Sequence, residues 1–584
     1  MNFLRNLIAS IFGTLIALGI ILVLIVLIAS AVGETEKISV KENSVLEIRL
    51  EKTVKDFAPK SDNPIDEIFG FNDDKIALND IINAIENAKD DANIKGISIS
   101  TMGVGAGVSQ TQAIRNKLEE FKASGKFINA YADVYDQKSY YLSSIADSIF
   151  LNPQGSVDFK GLSSEILFYK DLEDKSGVTM EVIRHGKYKS AVEPYLYNEM
   201  SEANREQISS FLNAIWIEIL EDVSKSRNII VEELNNIADN LLGRNADLAL
   251  RNNLIDGAIY SDEYENKLKL AAGIAIDSDL NKITIEDYIS TGKGRISSSA
   301  SNKIAVIYAQ GEIMYGKGDE NYIGQDLIIK ALKTARESKE VKAIVLRINS
   351  PGGSALASEL IWREIELTKK TLPIVVSMGD VAASGGYYIA CNATKIIAEP
   401  TTITGSIGVF GVIPNISKLA NKIGINAEQV STNKGASYSA FEPMSDSFRA
   451  VTTEGVEQVY NTFLDRVSAG RNISFAAVDS IAQGRVWSGV EAKKIGLIDE
   501  LGNLDDAIAA AAELAEITDY KVRNYPDYKI ELEDRFGGFP FMKTKEKLLI
   551  EEFGEENYKI YKTVKSFSNL KGIQARMPYI IEIH

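Results

Sequence analysis

Histidine is almost missing from this chain: His185 and the terminal His584 are the only two in 584 residues. A Ser-His-Asp triad would have to draw on one of them. One cysteine, Cys391, excludes an internal disulfide framework and any zinc site built on a cysteine cluster, while leaving the redox compartment open. Basic residues are in deficit, 64 Lys and Arg against 81 Asp and Glu, for a formal net charge of -17. An acidic surface repels phosphates, so no nucleic-acid partner is expected. No Walker-type glycine-lysine loop is present to cradle a nucleotide either. What is there is ordinary globular material, 45% hydrophobic and 25% charged, in a chain too long for one core.

Charge is absent altogether from residues 7–32, an apolar run interrupted only by Ser10, Gly13, Thr14, Gly19 and Ser30. Such a run is long enough to span a bilayer. Arg5 before it and Glu34 and Glu36 after it predict a cytoplasmic N-terminus with the bulk of the chain translocated. Ala29-Ser30-Ala31 offers a signal-peptide cleavage pattern as the alternative, but the apolar region is long for one, so residues 1–33 are read as an uncleaved transmembrane anchor.

The remainder is a duplication. Adding 247 carries Lys95 onto Lys342, Ile97 onto Ile344, Gly105 onto Gly352, Asp133 onto Asp380 and Tyr140-Tyr141 onto Tyr387-Tyr388. Further on, Arg227-Asn228-Ile229 matches Arg471-Asn472-Ile473, and Leu254-Ile255-Asp256 matches Leu497-Ile498-Asp499, at slightly smaller offsets. Slowly drifting offsets mean one fold repeated with few insertions. Short β-branched runs alternate with helical patterns in each copy, which predicts an α/β fold with largely parallel sheets. The expected division is a first repeat over 34–289, a Gly/Ser-rich linker over 290–302, a second repeat over 303–520 and a charged tail over 521–584 whose role the sequence leaves open.

The two copies differ where chemistry would reside. Ser384, in Ala382-Ala383-Ser384-Gly385-Gly386, follows a buried-strand pattern and opens a helical one, a place where a hydroxyl meets unpaired helix N–H groups. Its counterpart in the first copy is Gln137. Lys189 in turn corresponds to Tyr438, so the first repeat has the lysine and the second the serine. A serine nucleophile needs a base, and with histidine so scarce lysine is the economical one, provided burial holds it neutral. His185, four residues from Lys189, is the rival base, although no carboxylate at a recognisable spacing orients it. Backbone N–H groups of Gly352, Gly353 and Gly385 could converge on an oxyanion.

Several long motifs then carry a resemblance: Asn349-Ser350-Pro351-Gly352-Gly353, the stretch from Asp380 to Ala390, Thr404-Gly405-Ser406-Ile407-Gly408, Gly484-Arg485-Val486-Trp487-Ser488-Gly489 and Gly496-Leu497-Ile498-Asp499. Together they resemble the signal peptide peptidase A (protease IV) family in its long, duplicated form, whose halves share the fold of Clp protease subunits and crotonases. The resemblance implies a serine nucleophile at Ser384, a lysine base at Lys189 and a lysine-orienting hydroxyl at Ser406. It also implies cleaved signal peptides as substrates, attachment to the bacterial inner membrane with the catalytic domains on its outer face, a homotetramer, and no metal or organic cofactor. Two rivals stand beside this reading, a crotonase-like acyl-CoA enzyme and a membrane scaffold that keeps an inactive protease fold.

Overall fold

The computed structural model describes residues 5–7, 9–20, 38–59, 75–436, 438–528 and 573–577. Most of the expected membrane anchor and most of the tail therefore lie outside the described residues. Within the anchor, 9–20 are helical and exposed, and among the described residues no helix is long and apolar enough to cross a membrane.

Each half is built on a sheet whose inner strands are all parallel. In the first half the order is Gly257–Ala258, Ser148–Leu151, Phe127–Ala132, Ile94–Ile99, Ser44–Ile48 and Lys282–Thr284. In the second, Ile374–Ala383 lies beside Val341–Ser350, then Lys303–Gln310, then Lys521–Tyr525. Strands such as Lys303–Gln310 (KIAVIYAQ) are apolar without alternation and buried along nearly their whole length, as a sheet covered on both faces requires. Lys521–Tyr525, which sequence pattern alone groups with the tail, is the edge strand of this sheet and the counterpart of Lys282–Thr284.

The repeat is visible element by element. Helices Leu78–Asp90 and Gln325–Glu337 have 13 residues each and fall at the same place in their halves. The long helices Glu202–Arg227 and Asp446–Arg471 both begin at a serine cap, Ser201 or Ser445, and both end at a left-handed asparagine, Asn228 or Asn472. Their terminal arginines explain the matched motifs downstream: Arg227 pairs with Asp256 and Arg471 with Asp499.

A third sheet joins the halves. Its order is Tyr322–Gly324, Glu312–Met314, Gly352–Ser354, Gln574–Arg576, Phe410–Asn415 and Thr179–Arg184. The last of these comes from the first half, pairing antiparallel with Phe410–Asn415 over six residue pairs. A buried ion pair, Arg347 to Asp56 at 3.1 Å, crosses the same boundary, and Arg347 also donates to Ser377 Oγ and the Met378 carbonyl. Asp380 accepts from the backbone N–H groups of Ser109 and Gln110, at the start of the first-half helix Val108–Lys122. A carboxylate at a helix N-terminus is favourably placed, so the strand leading to Ser384 is fastened to the other half.

Candidate active site

Ser384 sits between the strand Ile374–Ala383 and the helix Gly385–Ala390 with φ 54° and ψ -114°. For a residue with a Cβ this conformation costs on the order of 1–3 kcal/mol and persists only where surrounding contacts impose it. Here the Ser384 N–H donates to the Gly405 carbonyl, and its own carbonyl accepts the Tyr388 N–H that begins the helix. Its hydroxyl meets the arm that follows Thr179–Arg184.

That arm delivers Lys189. Its Nζ lies 2.9 Å from Ser384 Oγ, 3.0 Å from the Ser406 carbonyl and 3.1 Å from Ser406 Oγ, and neither Lys189 nor Ser384 is exposed to solvent at all. Burial pushes the lysine well below its ordinary value. All three contacts are uncharged dipoles. Lys189 Nζ donates to Ser384 Oγ and to both Ser406 oxygens, and the Ser384 hydroxyl itself donates to the Gly408 carbonyl at 3.4 Å. Ser406 is held in turn, its N–H donating to the Arg485 carbonyl and its Oγ to the Gly484 carbonyl. Gly484 also gives the lysine room: a Cβ there would lie 2.6 Å from the Lys189 backbone nitrogen.

The glycines lie on the other side of the serine. Gly352 and Gly353 have φ of 95° and 154°, in the range that favours glycine, and a Cβ on Gly352 would stand 2.6 Å from the Gly385 nitrogen. Gly352 and Gly385 thus approach closely, and the Gly352 N–H donates to Ser350 Oγ at 3.1 Å. His185 is elsewhere in its contacts, its ring stacked on Tyr460 at 4.0 Å between centroids.

Two features carry no sequence signal of their own. Gln207, buried in the helix Glu202–Arg227, donates to the Tyr188 carbonyl and to Ser190 Oγ on either side of Lys189, and accepts from the Val486 N–H. It joins the lysine arm to the strand Val486–Ser488 of the other half. The tail strand Gln574–Arg576 pairs with the glycine strand itself. At the position of Ser384 the first half has Gln137, whose side chain instead binds the backbone of Lys160 and Gly161.

A strained serine, an amine whose charged form burial disfavours and nearby glycine N–H groups can together perform nucleophilic acyl transfer. The comparisons with known proteins agree in kind. The model of Peptidase family S49 matches twice, over residues 120–275 and 366–518, and that of the Clp protease family over 296–412. Two bacterial proteins named Protease 4 align over most of the chain: that of Haemophilus influenzae is 36% identical, covering 91% of this chain and 89% of its own length. That of Salmonella typhi is 39% identical over 79% and 76%. An Enterococcus faecium protein named putative signal peptide peptidase SppA is 33% identical over 39% of this chain and 69% of its own. The fold is Clp protease-like and the protein is a serine peptidase. The chain belongs to Peptidase family S49.

Proposed function

We propose that the enzyme hydrolyses peptides through a Ser384–Lys189 dyad shared between its two halves. The observation that carries this is the 2.9 Å contact between Lys189 Nζ and Ser384 Oγ in a site where the amine has no counter-charge. Lys189 takes the Ser384 proton as Oγ attacks the peptide carbonyl, and Ser406 holds the amine beside the serine. N–H groups among Gly352, Gly353 and Gly385 receive the developing oxyanion. The lysine passes its proton to the departing amine, then draws one from water as the acyl-enzyme is hydrolysed.

The substrate class that fits is a cleaved signal peptide or another short apolar peptide, which the E. faecium relative's name and the motif resemblance both support. Residues 1–33 anchor the chain in the bacterial inner membrane with the catalytic halves on its outer face, a reading supported by the charge-free run at 7–32 and Arg5 before it. The assembly that goes with the resemblance is a homotetramer. A serine-reactive phosphonate tests the chemistry: the wild type is labelled at Ser384 and the Ser384→Ala protein is not. Labelling at another serine with full loss of activity overturns the assignment.

A further inference from the structure

The backbone that carries Lys189 is irregular. The strand Thr179–Arg184 ends five residues before it, and the chain then passes Gly186 at φ 105° to reach Lys189 at φ -76° and ψ 73°. The Lys189 N–H makes only a long bond, 3.4 Å to the Gly186 carbonyl, while the Tyr188 N–H donates to the Gln483 carbonyl of the other half at 2.8 Å. A catalytic group on such a segment is held in place by the side chains packed around its root.

Gln207 grips that root with a single amide. Its Nε2 donates to the Tyr188 carbonyl and to Ser190 Oγ, each at 3.1 Å, and shares its hydrogens with Asn204 Oδ1 on its own helix at 3.0 Å. Its Oε1 accepts the Val486 N–H at 3.3 Å. A carbonyl can only accept and an N–H can only donate, so the amide has one workable orientation. Val486 is paired with Gly405, whose carbonyl holds the Ser384 N–H, and the adjoining Arg485 carbonyl holds the Ser406 N–H. One side of the amide therefore holds the residues flanking the base, and the other holds the frame of Ser384 and Ser406. Gln207 is wholly buried, where an apolar side chain would fill the same space without the cost of desolvating an amide. In the second copy the sixth residue of the matching helix Asp446–Arg471 is Val451, 67% exposed, and that copy has Tyr438 in place of the lysine.

We infer that Gln207 is a positioning residue, which sets Lys189 against Ser384 and keeps the arm closed over its amine. The inference rests on the Ser384–Lys189 reading for the chemistry that it serves. Gln207 touches no reacting atom and acts through the placement of the base, where a displacement of about 1 Å costs up to ~10²-fold in rate. Loosening the arm also lets water reach the amine, and a hydrated amine keeps its proton to higher pH than a buried one.

The test uses the full-length protein. Gln207→Met keeps the volume of the side chain and removes its hydrogen bonds. It should lower kcat for a short peptide by about tenfold to a hundredfold, leave KM within about twofold, and move the acid limb of the kcat/KM profile to higher pH. Acetylation with acetic anhydride, read by mass spectrometry at Lys189, follows the arm without turnover: the lysine resists in the wild type and is modified in Gln207→Met. Ser190→Ala, which removes one partner of the amide, should move the rate, the acid limb and the labelling the same way by less, and add little to Gln207→Met because both act on one contact. A folded Gln207→Met protein in which Lys189 stays protected and only the melting temperature falls overturns the inference, as do losses that multiply in the double variant. Modification of Lys189 in Gln207→Met with kcat and the acid limb unchanged would uphold the placement of the arm and overturn the dyad instead.

Discussion

The pH dependence of kcat/KM follows from the environment of Lys189. An ordinary lysine, with a value near 10.4, is neutral in only about 0.1% of molecules at pH 7.5. The Lys189 amine is wholly buried and its three polar contacts are a carbonyl and two hydroxyls, none of which compensates a positive charge. Its value is therefore depressed, and the neutral, competent form predominates at a lower pH than a free lysine would allow. Below that depressed value, kcat/KM should rise about tenfold per pH unit, then level off well short of the pH at which free lysine titrates. The assay is initial-rate hydrolysis of a short fluorogenic peptide across pH 5.5 to 10, with wild-type fold checked by circular dichroism at each end. A profile climbing tenfold per unit all the way to pH 10 would refute the argument, as would one with no acid limb.

Stability carries the same signature with a definite sign. Between the depressed folded value and the ordinary one the unfolded chain binds a proton that the folded chain does not, so the wild type loses stability as pH falls through that window. Relative to Lys189→Met the loss should approach about 1.4 kcal/mol per pH unit there, measured as a pH-dependent difference in thermal midpoint, and a pH-independent difference would mean that the lysine is charged when folded. Lys189→Arg should be inactive because a guanidinium keeps its proton, while His185→Ala should retain most activity, and comparable loss in both would move the base to His185. Asp56→Ala leaves Arg347 buried without its carboxylate and should destabilise the protein by about 3–5 kcal/mol with little change in the activity of the molecules still folded. An unchanged melting temperature would show that the pair does not hold the halves together.

Much of this arrangement can be read from the chain because the duplication compares the molecule with itself. Gln137 against Ser384 and Lys189 against Tyr438 point to a division of the site that no single motif reveals, and the structure brings Lys189, Ser384 and Ser406 within hydrogen-bonding distance. Strand and helix positions were equally legible where buried runs are long, as in Val341–Ser350. Short segments defined only by distant partners were not. Thr179–Arg184 has a mixed pattern, and nothing local says that it will complete a sheet mostly belonging to the other half. Gln-Ala-Arg at 574–576 has no strand periodicity at all, and its conformation comes from the two edges that receive it. Asp380 and Gln207 are single polar residues whose importance lies in what they reach across the boundary.

The claim on which all this depends is that Lys189 and Ser384 act as one unit, and a double-mutant cycle on kcat/KM measures it directly. Groups that share one proton transfer are grossly non-additive, since removing either disables both. Ser384→Ala and Lys189→Ala should each abolish peptide hydrolysis to the same residual level, and the double variant should lie no lower than either. Losses that multiply in the double variant, or a Lys189→Ala protein with near-wild-type kcat/KM, would contradict a site shared between the two halves.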